Sequence, residues 1–115
     1  MTDSAMSHLD SETISMLKEV MEDGFVTLLQ TYLDDSKSRI AALHQALDAG
    51  DSDAVRRTAH SLKGSSGNLG AKRMAELCLH VENCGKDGNL DGLADEIGKI
   101  EIEFTAVSDI MQQMI

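Results

Sequence analysis

No proline occurs anywhere in the 115 residues of the chain. Proline removes a backbone hydrogen-bond donor and interrupts helices and central strands, so its absence leaves the backbone free to form long regular elements. Runs of β-branched residues are few, and apolar residues recur at spacings of three and four, which is the pattern of amphipathic helices. The sequence therefore predicts an all-α protein.

The first half of the chain predicts two helices of unequal length. A short one is expected after its N-cap, Asp10, with an inward apolar stripe of Ile14, Leu17, Val20 and Met21. Residues 22–24 break it. A long helix then runs from Phe25 to Ala49 and Gly50, where glycine is a stop signal.

Three further helices are expected in the second half. Asp51 and Ser52 supply the N-cap of the third, and the fourth runs from Ala71 to about Gly85, before a turn over residues 85–89. The last helix carries an apolar stripe of Leu93, Ile97, Ile100, Phe104, Val107, Met111 and Met114. Short turns imply antiparallel neighbours, so we predict one domain over residues 1–115, an up-and-down four-helix bundle with an extra short N-terminal helix and a loose segment over residues 1–8.

The third predicted helix aims His60 away from the core. Its apolar stripe is Val55, Thr58, Ala59, Leu62, Ser66 and Leu69. Leu62 lies about 200° around the helix from His60. Lys63 and Gly64 lie one turn beyond His60 on its own face. A neutral imidazole is a nucleophile near pH 7, and glycine within a helix is unfavourable by about 0.5 to 1 kcal/mol, which suggests close approach of a partner.

The run from Ala59 to Gly70 (AHSLKGSSGNLG), followed by Leu77-Cys78 and Val81-Glu82, closely resembles the signature of histidine phosphotransfer (HPt) domains. The resemblance covers residues 52–85 in detail. It implies that His60 accepts the phosphoryl group, that Lys63 steadies it and that Gly64 keeps the imidazole accessible. In several family members a glutamine on the next helix orients the histidine, and counting along the chain puts Glu82 at that position.

Charge is unevenly distributed along the chain. The net charge is −10, which argues against a general nucleic-acid binder because phosphate backbones are held by basic surfaces. Residues 54–75, however, contain no acid and half of the ten basic residues, namely Arg56, Arg57, Lys63, Lys72 and Arg73. We expect these to form one basic face around His60 that steers an acidic partner, while the small residues Ala59, Ser61 and Ser65 let it dock closely.

The HPt resemblance implies a carrier without a cofactor of its own. No glycine-rich phosphate loop is present, so we expect no use of ATP. The donor would be an aspartyl phosphate on the receiver domain of a hybrid sensor kinase, which supplies the Mg²⁺, and the acceptor the aspartate of a response regulator receiver. Two alternatives are a non-phosphorylated helical adaptor that binds receivers, and a dimeric kinase module phosphorylated from ATP by another domain.

Other candidate sites carry less weight. His80 and Cys84, with Cys78 nearby, lack a fourth zinc ligand, and residues 87–92 resemble an EF-hand loop whose twelfth position is Gly98 rather than glutamate. We therefore expect no metal, two buried unpaired thiols, and acids of that loop capping the last helix. The seven methionines are interpreted mostly as core residues. We expect the exposed apolar area on which a receiver docks to lie at Leu69 or on the first helix.

The N-terminus has no signal-peptide pattern, and no stretch approaches the length of about 18 apolar residues that a membrane span needs. We expect a cytoplasmic, monomeric, standalone carrier.

Overall fold

The computed structural model describes residues 8–115, and all regular elements in that range are helices. Residues 1–7 of the segment predicted to be loose lie outside it. The helices are α1 (Ser11–Met21), α2 (Gly24–Asp48), α3 (Ser52–Asn68), α4 (Lys72–Asp87) and α5 (Leu93–Gln112). The prediction of an all-α protein is confirmed.

Helices α2 to α5 form a closed up-and-down bundle. Each packs against the next in the chain, and α5 returns to pack against α2. The short helix α1 packs against α2. The molecule measures 42 × 28 × 18 Å along its principal axes. Within residues 8–115 the architecture is thus a four-helix bundle preceded by the short helix α1, as the sequence predicts.

The core is built from the predicted apolar stripes. The largest fully buried side chains include Leu29, Leu43, Leu62, Met74, Ile97, Ile100 and Met111. Burying a polar group requires a hydrogen-bond partner, and Tyr32 meets this requirement through a 2.7 Å hydrogen bond between its hydroxyl and that of Ser66. This bond joins α2 to α3, the helix that carries His60.

The predicted inward stripe of α1 is wrong in its second half. Ile14 is buried and Leu17 is half-buried, but Val20 is 72% exposed and Met21 is exposed as well. The helix packs mainly against α2, and among residues 8–115 no helix covers Val20 and Met21 in its last turn. Met114 is also exposed, because α5 ends at Gln112, before the predicted stripe does.

The end of α4 also differs from the prediction. The helix continues through Gly85 to Asp87 and closes at Gly88, which has a φ of +72°. Gly85 is buried, and a Cβ there would lie 2.8 Å from the backbone nitrogen of Arg56 on α3. Gly85 therefore permits close contact of α3 and α4 and does not break the helix.

Two of the three predicted helix caps differ in detail. Asp51 caps α3 as expected, accepting a 3.0 Å hydrogen bond from the backbone N–H of Ala54. Asp10 occupies the N-cap position of α1, but its carboxylate accepts from the Thr13 hydroxyl instead of the backbone. The N-cap of α5 is Gly92, so the acids of residues 87–92 do not cap that helix.

Candidate functional site

His60 projects from the outer face of α3. Its side chain is 64% exposed, while Ala59 and Leu62 on the opposite side of the helix are fully buried. The outward direction expected from helical spacing is therefore observed. A reactive group on another protein can therefore reach this imidazole.

One nitrogen of the imidazole is engaged by the neighbouring helix. His60 Nδ1 lies 2.9 Å from Oε2 of Glu82 on α4, which is hydrogen-bond distance. Because an ionised carboxylate can only accept hydrogen bonds, the proton of a neutral imidazole lies on Nδ1 in this arrangement. The lone pair of Nε2 then remains available for chemistry.

Lys63 binds the other oxygen of the same carboxylate. Its Nζ lies 2.8 Å from Glu82 Oε1. The ammonium group and, secondarily, the His60 imidazole lower the pKa of the Glu82 carboxyl below its ordinary value. Glu82 is therefore an ionised group at neutral pH that contacts both predicted site residues of α3, and the three side chains form one network.

Gly64 leaves open space beside this network. Among the atoms of residues 8–115, none outside the helix backbone would lie within 4 Å of a Cβ at Gly64, so the core does not require the absence of a side chain there. The adjacent small residues differ from the prediction in one respect. Ser61 is exposed and Ser65 is half-buried, but Ala59 is buried in the core and cannot line a docking surface.

Arg56 and Arg57 lie one helical turn before His60 and share one acid. Arg56 Nη2 donates to Asp53 Oδ1 at 2.8 Å, and Arg57 Nε donates to Asp53 Oδ2 at 2.9 Å. The Arg57 side chain remains 61% exposed. Within this three-residue cluster the two guanidinium groups exceed the one carboxylate by one positive charge, while Asp51 at the N-cap adds a second acid to this end of α3.

Lys72 and Arg73 do not lie beside His60. They occupy the first turn of α4, ten and nine residues before Glu82 in the sequence, and thus about 15 Å from it along the helix axis. Lys72 pairs with Asp10 at 3.7 Å, and Arg73 pairs with the buried Glu103 at 3.3 Å. The expected single basic face is thus divided, because the fold brings acids from α5 and the segment before α1 to these two cations.

The remaining candidates are separated from the His60 network. Cys78 is buried as expected, whereas Cys84 is only half-buried, and both are free thiols. Within residues 8–115 no group of three or more histidine, cysteine or acidic side chains is arranged to hold a metal ion. Leu69 is buried, so it offers no docking area, and the exposed apolar residues of α1 are Met16, Val20 and Met21. No helix in the described range is long and apolar enough to cross a membrane.

The fold is that of a known family. The Hpt domain family model matches residues 27–113, and the chain belongs to that family. The crystal structure of histidine-containing phosphotransfer protein B (HptB) from Pseudomonas aeruginosa PAO1 is similar to it, with 42% identity, a TM-score of 0.91 and 93% of each chain covered.

Two plant proteins are also similar in sequence. Histidine-containing phosphotransfer protein 2 of Arabidopsis thaliana is 32% identical over 105 residues, which is 85% of this chain and 67% of that protein. Histidine-containing phosphotransfer protein 1 of Oryza sativa subsp. japonica is 28% identical over 116 residues, covering 96% of this chain and 79% of that protein.

Proposed function

We propose that this protein is a phosphoryl carrier of a phosphorelay and that His60 is its phosphoacceptor. It takes the phosphoryl group from the aspartyl phosphate of a receiver domain in a hybrid sensor kinase and passes it to the receiver aspartate of a response regulator. The observation that carries the proposal is the exposed imidazole whose Nδ1 is bound by Glu82 and whose Nε2 has no hydrogen-bond partner among residues 8–115.

The chemistry follows from that geometry. The Nε2 lone pair attacks the phosphorus of the aspartyl phosphate in line, a nitrogen–phosphorus bond forms, and the carboxylate of the donor leaves. The same steps in reverse deliver the group to the next receiver. Lys63, one turn along α3 and 30% exposed, has an ammonium group that can bind the phosphoryl oxygens. Gly64 leaves room for the receiver to approach.

We propose that the protein needs no cofactor of its own. The carboxylate beside His60 has one oxygen against Lys63 and the other against His60, so it is not available to a metal ion. Phosphoryl transfer requires neutralisation of charge on the transferring group. The Mg²⁺ of the receiver supplies it, together with Lys63, and the protein acts as a carrier without an ATP site.

Arg56 and Arg57 contribute to the encounter with the receiver. Their positive charge lies one turn from His60, nearer to it along the helix than the two acids Asp51 and Asp53, and would attract the acidic pocket of a receiver domain. Because Lys72 and Arg73 lie at the other end of α4, we assign no steering role to them. One bundle contains His60, Lys63 and Glu82 together, so the proposed carrier works as a monomer.

The test is transfer from a phosphorylated receiver domain. The protein is incubated with that receiver and Mg²⁺ in the absence of ATP, and acid-labile phosphate is followed on the wild type, on His60→Gln and on His80→Gln. His80 is also an exposed histidine and serves as the matched control. Label on the wild type and on His80→Gln, but not on His60→Gln, is expected. Label retained on His60→Gln would overturn the assignment, and receiver binding without any label would favour an adaptor.

A further inference from the structure

We propose that the cavity between α2 and α5 is a binding site for a small organic anion, namely an aromatic ring that carries a carboxylate. The cavity has a volume of about 330 Å³, which is within the range of small-ligand sites. It is lined by residues of α2 and α5, whereas His60, Lys63 and Glu82 lie on α3 and α4. The proposal is therefore independent of the phosphoryl chemistry.

The small side chain of Ala41 opens the cavity. On α2, Lys37, Ala41 and His44 all line it, and they follow one another at intervals of about one helical turn. Lys37 and His44 have long side chains, whereas Ala41 between them has a single methyl group. The gap above Ala41 therefore gives solvent access to the core side chains beneath the row.

The floor of the cavity is apolar. Ile40 and Phe104 line it and are 7% and 8% exposed, so an edge of each core side chain is uncovered. Leu43 and Ile100, which do not line it, are fully buried. An aromatic ring placed on this floor would bury apolar surface and could pack against the Phe104 ring in an offset or edge-to-face arrangement.

Lys37 supplies the available charge at the rim of the cavity. The ion pairs that α2 makes within residues 8–115 involve Arg39 and His44, so Lys37 belongs to neither. His44 Nε2 lies 3.1 Å from Glu101 Oε1, and the Thr105 hydroxyl donates to the Glu101 backbone oxygen at 3.0 Å. Of these rim groups, the Lys37 ammonium is the positive charge without a partner in the described range.

The floor and the rim together define the ligand. Its ring lies against Phe104, and its carboxylate lies at the Lys37 end, because Glu101 at the His44 end would repel it. An uncharged ring would make no use of the ammonium group, and an inorganic anion would leave the floor uncovered. A protein partner requires about 800 Å² of contact surface on each side, so a cavity of this size indicates a small molecule.

The first test uses 2-naphthoate as the probe and 2-naphthalenemethanol as its neutral analogue. Binding to the full chain is followed by nitrogen-15 HSQC titration at constant ionic strength. We expect the largest shifts at the amides of residues 37–44 and 101–105, a dissociation constant on the order of 1 mM for the acid, and about threefold weaker binding of the alcohol. Largest shifts on α1, or equal binding of acid and alcohol, would overturn the proposal.

Ala41→Leu tests the cavity itself. Ala41 is exposed and leucine is a good helix former, so the fold should be kept while the larger side chain fills the opening. We expect 2-naphthoate to bind at least about tenfold more weakly, because the ligand can no longer reach the floor. Gln45→Leu adds the same side chain at an exposed position of α2 outside the cavity and should bind as the wild type does. Wild-type affinity in Ala41→Leu would overturn the proposal.

Lys37→Met tests the recognition of the anion. Methionine keeps an apolar side chain of similar length and removes the charge, so the affinity for 2-naphthoate should fall about threefold while that for the alcohol stays the same. Lys86→Met, at an exposed position near the end of α4, changes the net charge equally and serves as the control. An equal loss in Lys86→Met, or no loss in Lys37→Met, would overturn the assignment of an anion site.

Discussion

Gly85 of α4 packs directly against the backbone of Arg56 on α3, where a Cβ would lie 2.8 Å from the Arg56 nitrogen and 2.9 Å from the Ser52 oxygen. Both are main-chain atoms and cannot rotate away. This contact sets the separation of the two helices one turn from the point where Glu82 meets His60. The glycine thus fixes the geometry of the site without touching it.

Replacing Gly85 by alanine should therefore force the two helices apart. We expect the free energy of unfolding to fall by about 1 to 3 kcal/mol, the usual effect of overpacking, and the His60–Glu82 contact to lengthen. Urea denaturation measures the first effect, and the His60 ring NMR signals measure the second. An unchanged free energy of unfolding would show that α3 and α4 can move apart here without loss of stability, and would contradict this role of Gly85.

Gly64→Ala should separate stability from activity. A Cβ there would meet no other part of residues 8–115 within 4 Å, and alanine favours a helix over glycine, so the free energy of unfolding should rise by about 0.5 to 1 kcal/mol. The methyl group protrudes beside His60, and we expect transfer from a phosphorylated receiver to slow by at least about tenfold. Gly98→Ala on α5, where a Cβ also meets nothing, should gain stability and transfer normally. A Gly64→Ala protein that transfers at the wild-type rate would contradict the access role.

Reversing charge at Arg57 should slow transfer mainly at low salt. The side chain is 61% exposed and lies near His60, and the attraction it adds is screened over about 10 Å at 0.1 M salt. We expect Arg57→Glu to lose several-fold in the second-order rate at low ionic strength and to approach the wild type at high ionic strength. We expect the same salt dependence for Lys63→Glu. Its rate should stay below that of the wild type at high salt, because the ammonium group that can bind the phosphoryl oxygens is lost.

Lys72→Glu provides the control for charge alone, because it changes the net charge equally but lies about 15 Å along α4 from Glu82. Equal losses in Lys72→Glu and Arg57→Glu would show that net charge, and not position, governs the encounter.

The Glu82 carboxyl should make stability depend on pH in acid. Lys63, and then His60, lower its pKa in the folded protein, so the unfolded chain binds a proton more readily than the folded one. The stabilisation is complete above the unfolded pKa of about 4.3 and is lost as pH falls through the folded pKa. The difference in Tm between the wild type and Glu82→Gln should accordingly shrink between pH 6 and pH 3. A difference that stays constant over this range would show that the ion pair contributes nothing.

The two thiols should react at different rates. Burial raises the pKa of Cys78 to about 12, whereas Cys84 is half-buried. Because the thiolate is the reactive form, a disulfide reagent at pH 8 should titrate one thiol in the folded protein and two after unfolding. Cys84→Ser should remove the fast reaction, and a fast thiol remaining in that variant would contradict the burial of Cys78.

The local features of the site could be predicted from sequence, and the contacts between helices could not. Helical spacing is enough to aim His60 outward and to place Lys63 and Gly64 beside it. The acids that pair with Lys72 and Arg73 are distant in the chain, so the absence of acids from residues 54–75 wrongly predicted a single basic face. Glu82 was found only by counting along the next helix of a known family.

Glycine and apolar residues were ambiguous for a related reason. Glycine often ends helices, and only the position of α3 shows that Gly85 instead permits close contact between α3 and α4. Val20 and Met21 continue the stripe of α1, but a stripe does not reveal whether another helix is present to cover it. In both cases the role of the residue depends on whether another helix packs against it, which the sequence of its own helix does not show.

His60, Lys63 and Glu82 all belong to the hairpin formed by α3 and α4, and the two ends of the imidazole–carboxylate contact are only 22 residues apart in the chain. Closing a short loop has a small entropic cost, and contacts between near neighbours form early when a chain folds. The phosphoryl site therefore assembles from a single contiguous piece of the polypeptide, and variation in α1 or α5 can reshape the rest of the surface while the reacting groups keep their arrangement.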